Sequence, residues 1–269
     1  GGAPLVPIAL AGRATRSIEL GTAVLQTYPC HPVLQAHRAI SVAAGMDRAG
    51  FTLGLGPSHG PVIEGMLGLS YAHPGLHTEE YMRIVTDLLD GKPAHLDGSE
   101  LRVHAPGAAG KPAWPVSVMI SALAPRLLRV AGELTDGTIL WMANARAVET
   151  HVAPRLHDAA SRASRGAPRI VAGLPVAVHD DVEEARRTAA EQFAGYGTLP
   201  NYRRILDIGG AEGPADAAIV GNEEAVAAAV TGLFDAGATD VWAAIFPVGA
   251  DRSGSRARTR KLLADLIGS

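Results

Sequence analysis

The chain has 269 residues, 47% of them hydrophobic, a formal net charge of −3 and a single cysteine, Cys30. That is enough chain for one large domain or two small ones. The charge gives no reason to expect nucleic acid or an anionic membrane as partner, no apolar run approaches the roughly 18 residues of a membrane span, and a lone cysteine excludes an internal disulfide.

"PLVPIALAGRAT" reads as a helix ending near Arg13. "SIELGTAVLQ", aliphatic and β-branched, reads as a buried strand ending at Gln26. It runs into Tyr-Pro-Cys-His-Pro, where two prolines stop regular structure, and a helical pattern through Val33, Leu34, Ile40 and Met46 follows, ending at Gly50. "FTLGLG" is the next strand, and Gly54 and Gly56 in it suggest close approach by another backbone or a ligand. "TEEYMRIVTDLLDG" is a helix closed by Gly91, and "PAHLDGSELRVH" carries Asp-Gly between short apolar runs, a hairpin signal. "PVSVMIS" and "DGTILW" are strands, with the helix "APRLLRVAGEL" between them. "ARAVETHVAPRLHDAASRAS" is a helix that starts late or kinks at Pro154. "RIVAGLPVAV" is a strand. Asp181 and Asn222 cap the helices that begin "DVEEARR" and "NEEAVAA", and "DVWAAIF" followed by "SRARTRKLLADLIG" closes the chain as strand and helix.

Strands that alternate with helices and are apolar on both faces mean a parallel sheet covered by helices. Six such strands are legible, whereas a closed (β/α)8 barrel has eight. The chain opens Gly-Gly without Met, and a barrel lacking its first two strands fits that count. A doubly wound open sheet is the competing arrangement.

Parallel α/β sheets bind ligands at the carboxyl ends of their strands. In "ISALAPRLL" the small residues Ser121, Ala122 and Ala124 separate a strand from a helix with Pro125 in its first turn. Free N–H groups and the helix dipole there suit a phosphate, and Arg126 adds charge. "GPSHG", residues 56–60, matches the G-x-S-x-G of a nucleophile elbow, but no histidine follows His179 to complete a triad at a late strand end. His73 and His77 are four apart, yet Pro74 and Gly75 argue against one helical face. Solvated histidines are the expectation there, as for His151 and His157 on an exposed helix face. No metal site is expected. There is no G-x-G-x-x-G after a strand and no Walker loop.

"IELGTAVLQTYPCHPVLQAHRAISV", "GFTLGLGPSHGPVIEGMLGLSY", "HTEEYMRIVTDLLDGKPAHLDGSELRVHAP", "PVSVMISALAPRLLRVAGELTDGTILWM" and "VAGLPVAV" together resemble the luciferase-like monooxygenase superfamily, and within it the coenzyme F420-dependent oxidoreductases. The resemblance implies a (β/α)8 TIM barrel in which residues 17–26 form the third strand. Residues 1–269 would then be a single barrel domain, incomplete at its N-terminus, with a hairpin insertion near 92–104. It further implies a bulge with a non-prolyl cis peptide at Ala23 and Val24 behind the deazaflavin ring, and Gln26 near the ring edge. Tyr28 would stand at the substrate side, while Cys30 and His31 are best read as packing and helix entry. Gly56 would lie under the cofactor. His59 stands where sugar-phosphate-oxidising relatives carry a glutamate, and is the candidate proton donor. Ala122, Leu123, Ala124, Arg126 and Leu127 match the segment that holds the cofactor phosphate, and Trp141 and Met142 would wall the substrate pocket. The function so implied is hydride transfer between F420 and a small organic substrate by a cytoplasmic enzyme, with a homodimer as a candidate assembly. Three alternatives stay open: an FMN-dependent monooxygenase on the same fold, a non-catalytic flavin or deazaflavin binder, and a serine hydrolase using "GPSHG".

Overall fold

The computed structural model describes residues 3–107 and 111–267. Contacts group the chain into two compact units, Gly1–Ile139 with Asp158–Pro168, and Leu140–His157 with Arg169–Ser269.

The first unit opens with α1 (Leu5–Ala14), β1 (Leu20–Gly21), β2 (Leu25–Gln26), α2 (Pro32–Met46) and β3 (Phe51–Gly56). It continues with α3 (Pro74–Leu89), the hairpin β4 (Ala94–Asp97) and β5 (Arg102–Ala105), then β6 (Val116–Ile120), α4 (Pro125–Leu134) and β7 (Gly137–Ile139). β1 and β2 both pair with β3, β3 with β6, and β6 with β7, all in parallel. Every residue of β3 is buried, as a central strand covered on both faces requires. α1 meets α2 so closely that a Cβ on Gly12 would lie 2.3 Å from Met46 Cγ. The end of α1 has no left-handed cap. The Arg48 guanidinium instead collects the carbonyls of Gly12, Thr15 and Ile18, groups that a helix end and its exit loop leave without partners.

The hairpin is tied to α3 by one side chain. The buried Glu80 carboxylate accepts the backbone N–H groups of Ser99, Glu100 and Leu101 at 2.9, 3.0 and 2.7 Å.

The second unit contains α5 (Ala145–Ala147), α6 (Ala153–Arg162, whose last residues belong to the first unit), β8 (Arg169–Val178), α7 (Val182–Phe193), α8 (Pro200–Gly209) and α9 (Pro214–Ala217). β9 (Ile219–Gly221), α10 (Glu223–Asp235), β10 (Asp240–Ile245) and α11 (Arg252–Leu266) complete it. β8 pairs in parallel with β9 and β10. Leu140 and Met142 add to β8 through backbone bonds to Val171 and Gly173. Asp181, Asn222 and Asp251 cap α7, α10 and α11, each accepting an N–H from the first turn. Among the described residues no helix is long and apolar enough to cross a membrane.

The six expected strands are all present, and four features differ from the sequence reading. The helix expected from Thr78 starts at Pro74, because Pro is well accommodated at the first helical position. His77 is therefore helical and 8% exposed instead of solvated. His151 is also buried: a widened π turn over Val148–Val152, just ahead of Pro154, rotates it inward, while His157 stays exposed. β9 escaped notice because it is three residues long. The helix begun at Val182 ends at Phe193 and passes into a 3₁₀ turn.

Glu80→Ala removes the acceptor for three backbone N–H groups at once. It should cost about 2–3 kcal/mol in urea denaturation and raise amide exchange at residues 99–101 ahead of that in α3.

Candidate active site

The strand that ends at Gln26 is in two pieces because it carries one residue too many. Leu20 pairs with Phe51, an offset of 31, and Leu25 with Leu55, an offset of 30. The extra residue is a bulge, and the peptide bond between Ala23 and Val24 within it is cis, as the family resemblance implied. Through the bulge the ladder is replaced by a side chain. Thr22 Oγ1 donates to the Gly54 carbonyl at 2.8 Å and accepts the Gly54 N–H at 2.9 Å. This works only with glycine at 54, since a Cβ there would lie 1.8 Å from the Thr22 carbonyl oxygen.

Two residues on, a Cβ on Gly56 would meet Ser121 Oγ at 2.3 Å and Val24 Cγ2 at 2.8 Å. Val24, just before β2, Gly56, the last residue of β3, and Ser121, just after β6, thus meet at one place. Ala23 is exposed and Val24 half-buried, so a small apolar shelf is left at the strand ends. Beyond Ser121 comes Ala122, buried, and then Leu123 and Ala124, half-buried. α4 begins at Ala124 with extended backbone and no side-chain cap, and Pro125 has no N–H to satisfy. The first-turn N–H groups of α4 are of the kind that bind anions. Leu127 is half-buried in that turn.

Arg126, in the same turn, points elsewhere. Its guanidinium donates to Glu79 on α3 at 3.0 and 3.3 Å. The same carboxylate takes Arg129 at 3.1 Å and Arg83 at 3.2 Å. Burial pushes the Glu79 carboxyl up, but the three guanidinium groups outweigh it and hold the carboxyl below the ordinary carboxylate range. A phosphate would reach Arg126 only in competition with Glu79.

Gln26 is anchored, its Nε2 donating to Ser58 Oγ at 3.0 Å. Ser58 has a left-handed backbone, φ 64°, uncommon for a residue with a side chain. Tyr71 holds it there by donating from its hydroxyl to the Ser58 carbonyl at 2.6 Å. The Ser58 hydroxyl therefore accepts an amide hydrogen instead of being primed by a base, which does not suit a hydrolytic nucleophile. His59 follows, half-buried, its carbonyl starting the π turn Pro61–Met66. Burial pulls its imidazole below the ordinary 6.5.

The corner after β2 is built as expected around Cys30 and His31. His31 caps α2 through Nδ1, which accepts the Val33 N–H. Cys30 is buried against Arg38, with its carbonyl accepting the Tyr81 hydroxyl, and burial pushes the thiol up. Tyr28 stacks on His77, ring centroids 3.9 Å apart.

Trp141 and Met142 lie in the second unit and are buried. Trp141 packs among Phe193, Tyr196 and Trp242. Met142 has φ 64° and donates its N–H to Gly173.

Sequence reasoning singled out Gly56, Ala122 and Ala124 from composition alone. It weighed Ser58 only as the nucleophile of a hydrolase motif, and it missed Tyr71 and Glu79. The signal for Glu79 was the spacing of Arg126 and Arg129, three apart and so on one face of a helix, which becomes informative only once α3 and α4 are known to be neighbours.

A family profile described as luciferase-like monooxygenase matches residues 2–263. The chain belongs to the luciferase-like monooxygenase family. Among solved structures it is similar to the coenzyme F420-dependent tetrahydromethanopterin reductase of Methanopyrus kandleri, with a TM-score of 0.71, 18% identity, and coverage of 95% of this chain and 85% of that one. It is similar also to the type II Baeyer–Villiger monooxygenase component of Pseudomonas putida in complex with FMN, with a TM-score of 0.67, 19% identity, and 97% and 82% coverage. These likenesses establish the fold as α/β, of the luciferase-like TIM-barrel type. An uncharacterised protein of Mycobacterium tuberculosis is 25% identical over 218 residues, 76% of this chain and 64% of that protein. The chain therefore spans somewhat under two thirds of the length of that curated relative.

The residues at the strand ends fit a ring-bearing phosphorylated cofactor on two counts. Glycine at 56 lets Val24 and Ser121 close in at the end of β3, where a Cβ would clash with both, and the N-terminus of α4 is uncapped.

Gly54→Ala should destabilise the fold by about 3 kcal/mol or more, the upper range for overpacking, because its neighbour is the Thr22 backbone. A thermal or urea denaturation series comparing it with Gly65→Ala, where nothing lies within 4 Å of the added Cβ, checks this.

Proposed function

We propose that this chain is the cofactor-binding part of an F420-dependent oxidoreductase acting on a small organic substrate. The observation that carries the proposal is the uncapped start of α4 beside the shelf of Val24, Gly56 and Ser121, in a family with F420-dependent members. Bound in reduced form, F420 supplies a hydride to a carbonyl or unsaturated carbon.

The chain's own residues would act as follows. The N–H groups at Ala124, Arg126 and Leu127 hold the phosphate, with the helix dipole in support. Ala23, Val24 and Gly56 back the ring, and Gln26, fixed by Ser58, stands at its edge. His59 holds on its imidazole the proton that the reduced substrate needs. Burial lowers the pKa of His59, so the protonated fraction is small at neutral pH and grows as pH falls.

FMN is the second reading, favoured by the likeness to the FMN-bound Pseudomonas putida structure. Fluorescence titration with F420 and with FMN decides between them: F420 is expected to bind at least about tenfold more tightly, a difference of about 1.4 kcal/mol, and the reverse order overturns the proposal. Ala124→Asp gives the site its own test, with two effects of opposite sign. The new carboxylate caps α4, where the backbone is already extended, and stabilises the fold by about 0.5–2 kcal/mol. It also occupies the N–H groups and repels a phosphate, so cofactor affinity should fall.

His59→Gln should lower turnover by on the order of 10²–10⁴ with little change in cofactor affinity. The parent's rate should fall as pH rises through a pKa below 6.5, and that limb should vanish in the variant. Equal turnover and the same pH profile in both would remove His59 from the mechanism.

A further inference from the structure

The hairpin puts two histidines directly opposite each other. The Gly98 N–H donates to the Leu101 carbonyl and closes the turn. Bonded and non-bonded pairs alternate along an antiparallel ladder. Counting back from the turn, Asp97 and Arg102 form a non-bonded pair, Leu96 and Val103 a bonded one, and His95 and His104 a non-bonded one. Side chains come closest at non-bonded pairs, where the Cα atoms are about 4.5 Å apart. His95 and Asp97 share a face because they are two apart on one strand, and His104 and Arg102 stand opposite them. All four are exposed, whereas Val103 is buried and Leu96 half-buried on the other face.

The rings of His95 and His104 have centroids 5.9 Å apart and planes inclined by 48°. Two imidazoles that share one ion at a metal–nitrogen distance of ~2.0–2.1 Å have centroids about 5–6 Å apart. His104 is also oriented, with its Nε2 3.1 Å from Asp97 Oδ1. An ionised carboxylate only accepts, so in the neutral ring Nε2 carries the hydrogen and Nδ1 the lone pair. A carboxylate on the second nitrogen is the usual support of a metal-ligating histidine. Arg102 also bonds Asp97, at 3.2 Å, and its charge opposes a cation that the carboxylate attracts. His95 borders a cleft of about 280 Å³ between β4 and α3, whose wall includes Asp87, so water reaches this ring. Packing does not explain the pair, since neither ring is covered, and two imidazolium ions facing each other across a ladder would repel. Among the described residues no group of three or more His, Cys, Asp and Glu side chains is placed to hold a metal ion. The protein's share of a shell here is therefore two nitrogens.

We propose that His95 and His104 chelate one divalent ion, zinc, nickel or copper, between the strands of the hairpin, with Asp97 fixing the His104 tautomer and water completing the shell. Imidazole nitrogen suits these ions, whereas magnesium and calcium take oxygen ligands. The ion joins the strands one pair from the open end of the hairpin, while Glu80 already holds the tip. Bound metal thus fixes the second end of an element whose first end is anchored through its backbone. The site does not depend on the cofactor reading.

The test uses the full chain without cofactor and the metal salts alone. Paramagnetic Ni²⁺, added below one equivalent, is expected to broaden the amide signals of residues 94–97 and 102–105 first. Zn²⁺ should reverse the broadening by displacement, and Mg²⁺ at the same concentration should not. His95→Gln and His104→Gln should each weaken Ni²⁺ binding by about tenfold or more, since a two-point attachment becomes a single one. Asp97→Ala, which keeps both ligands, should weaken it by about tenfold. Zn²⁺ should slow amide exchange in the hairpin of the parent and leave it unchanged in both histidine variants. Circular dichroism checks that the variants fold. Broadening centred elsewhere in the chain, displacement of Ni²⁺ by Mg²⁺, or a folded His95→Gln or His104→Gln that binds like the parent would each overturn the site. A folded Asp97→Ala with the parent's affinity would overturn the role given to Asp97.

Discussion

The Thr22 carbonyl and the Gly54 backbone lie so close that no side chain fits between them, and much of the first unit follows from that contact. Because Gly54 admits it, the strand before it can bulge by one residue while the Thr22 hydroxyl takes over both hydrogen bonds of the interrupted ladder. Adding one residue switches which side chains face which side of a strand. Leu25 and Gln26 therefore rejoin β3 in a new register, and Gln26 is delivered to Ser58. On its other edge β3 carries β6, whose extension bonds Ser121 N–H to the Leu55 carbonyl, and this sets where α4 starts. The shelf and the helix N-terminus are placed by a single strand that has glycines at the two positions where neighbours press on it.

Around this sheet, two consecutive glutamates on α3 work in different directions. Glu79 gathers Arg83, Arg126 and Arg129 and so joins α3 to α4. Glu80, about 100° further around the helix, turns to the hairpin. A carboxylate withdrawn from water, Glu80 wholly and Glu79 in part, is tolerable when its oxygens are occupied by donors, and each of these has three residues donating to it. The first turn of α4 and the hairpin tip are thereby referenced to the same helix.

The fold was legible because its strands are apolar on both faces and separated by helices with readable caps. Asp181 and Asn222 each did in the structure what their position before an acidic first turn implied. What stayed hidden was of two kinds. Short elements such as β9 carry too few residues for any periodicity to show. Long-range side-chain partners carry no local signature at all: nothing in "HPGLH" says that His77 will lie flat on Tyr28, 49 positions away in the chain, or that Pro74 will begin the helix that puts it there. The same limit applies to Arg126. Its place at a helix start was readable from Pro125, whereas its engagement with Glu79 depended on how two helices pack.

The grip on the hairpin has a consequence for how such a protein can change. Glu80 holds the amides of Ser99, Glu100 and Leu101, not their side chains. Any residue with an N–H can occupy those three positions without loosening the anchor, proline excepted. The tip is therefore a place where side chains can be exchanged, Glu100 giving up only its bond to His73, while the backbone keeps its location in space, so that new preferences can arise there by single substitutions.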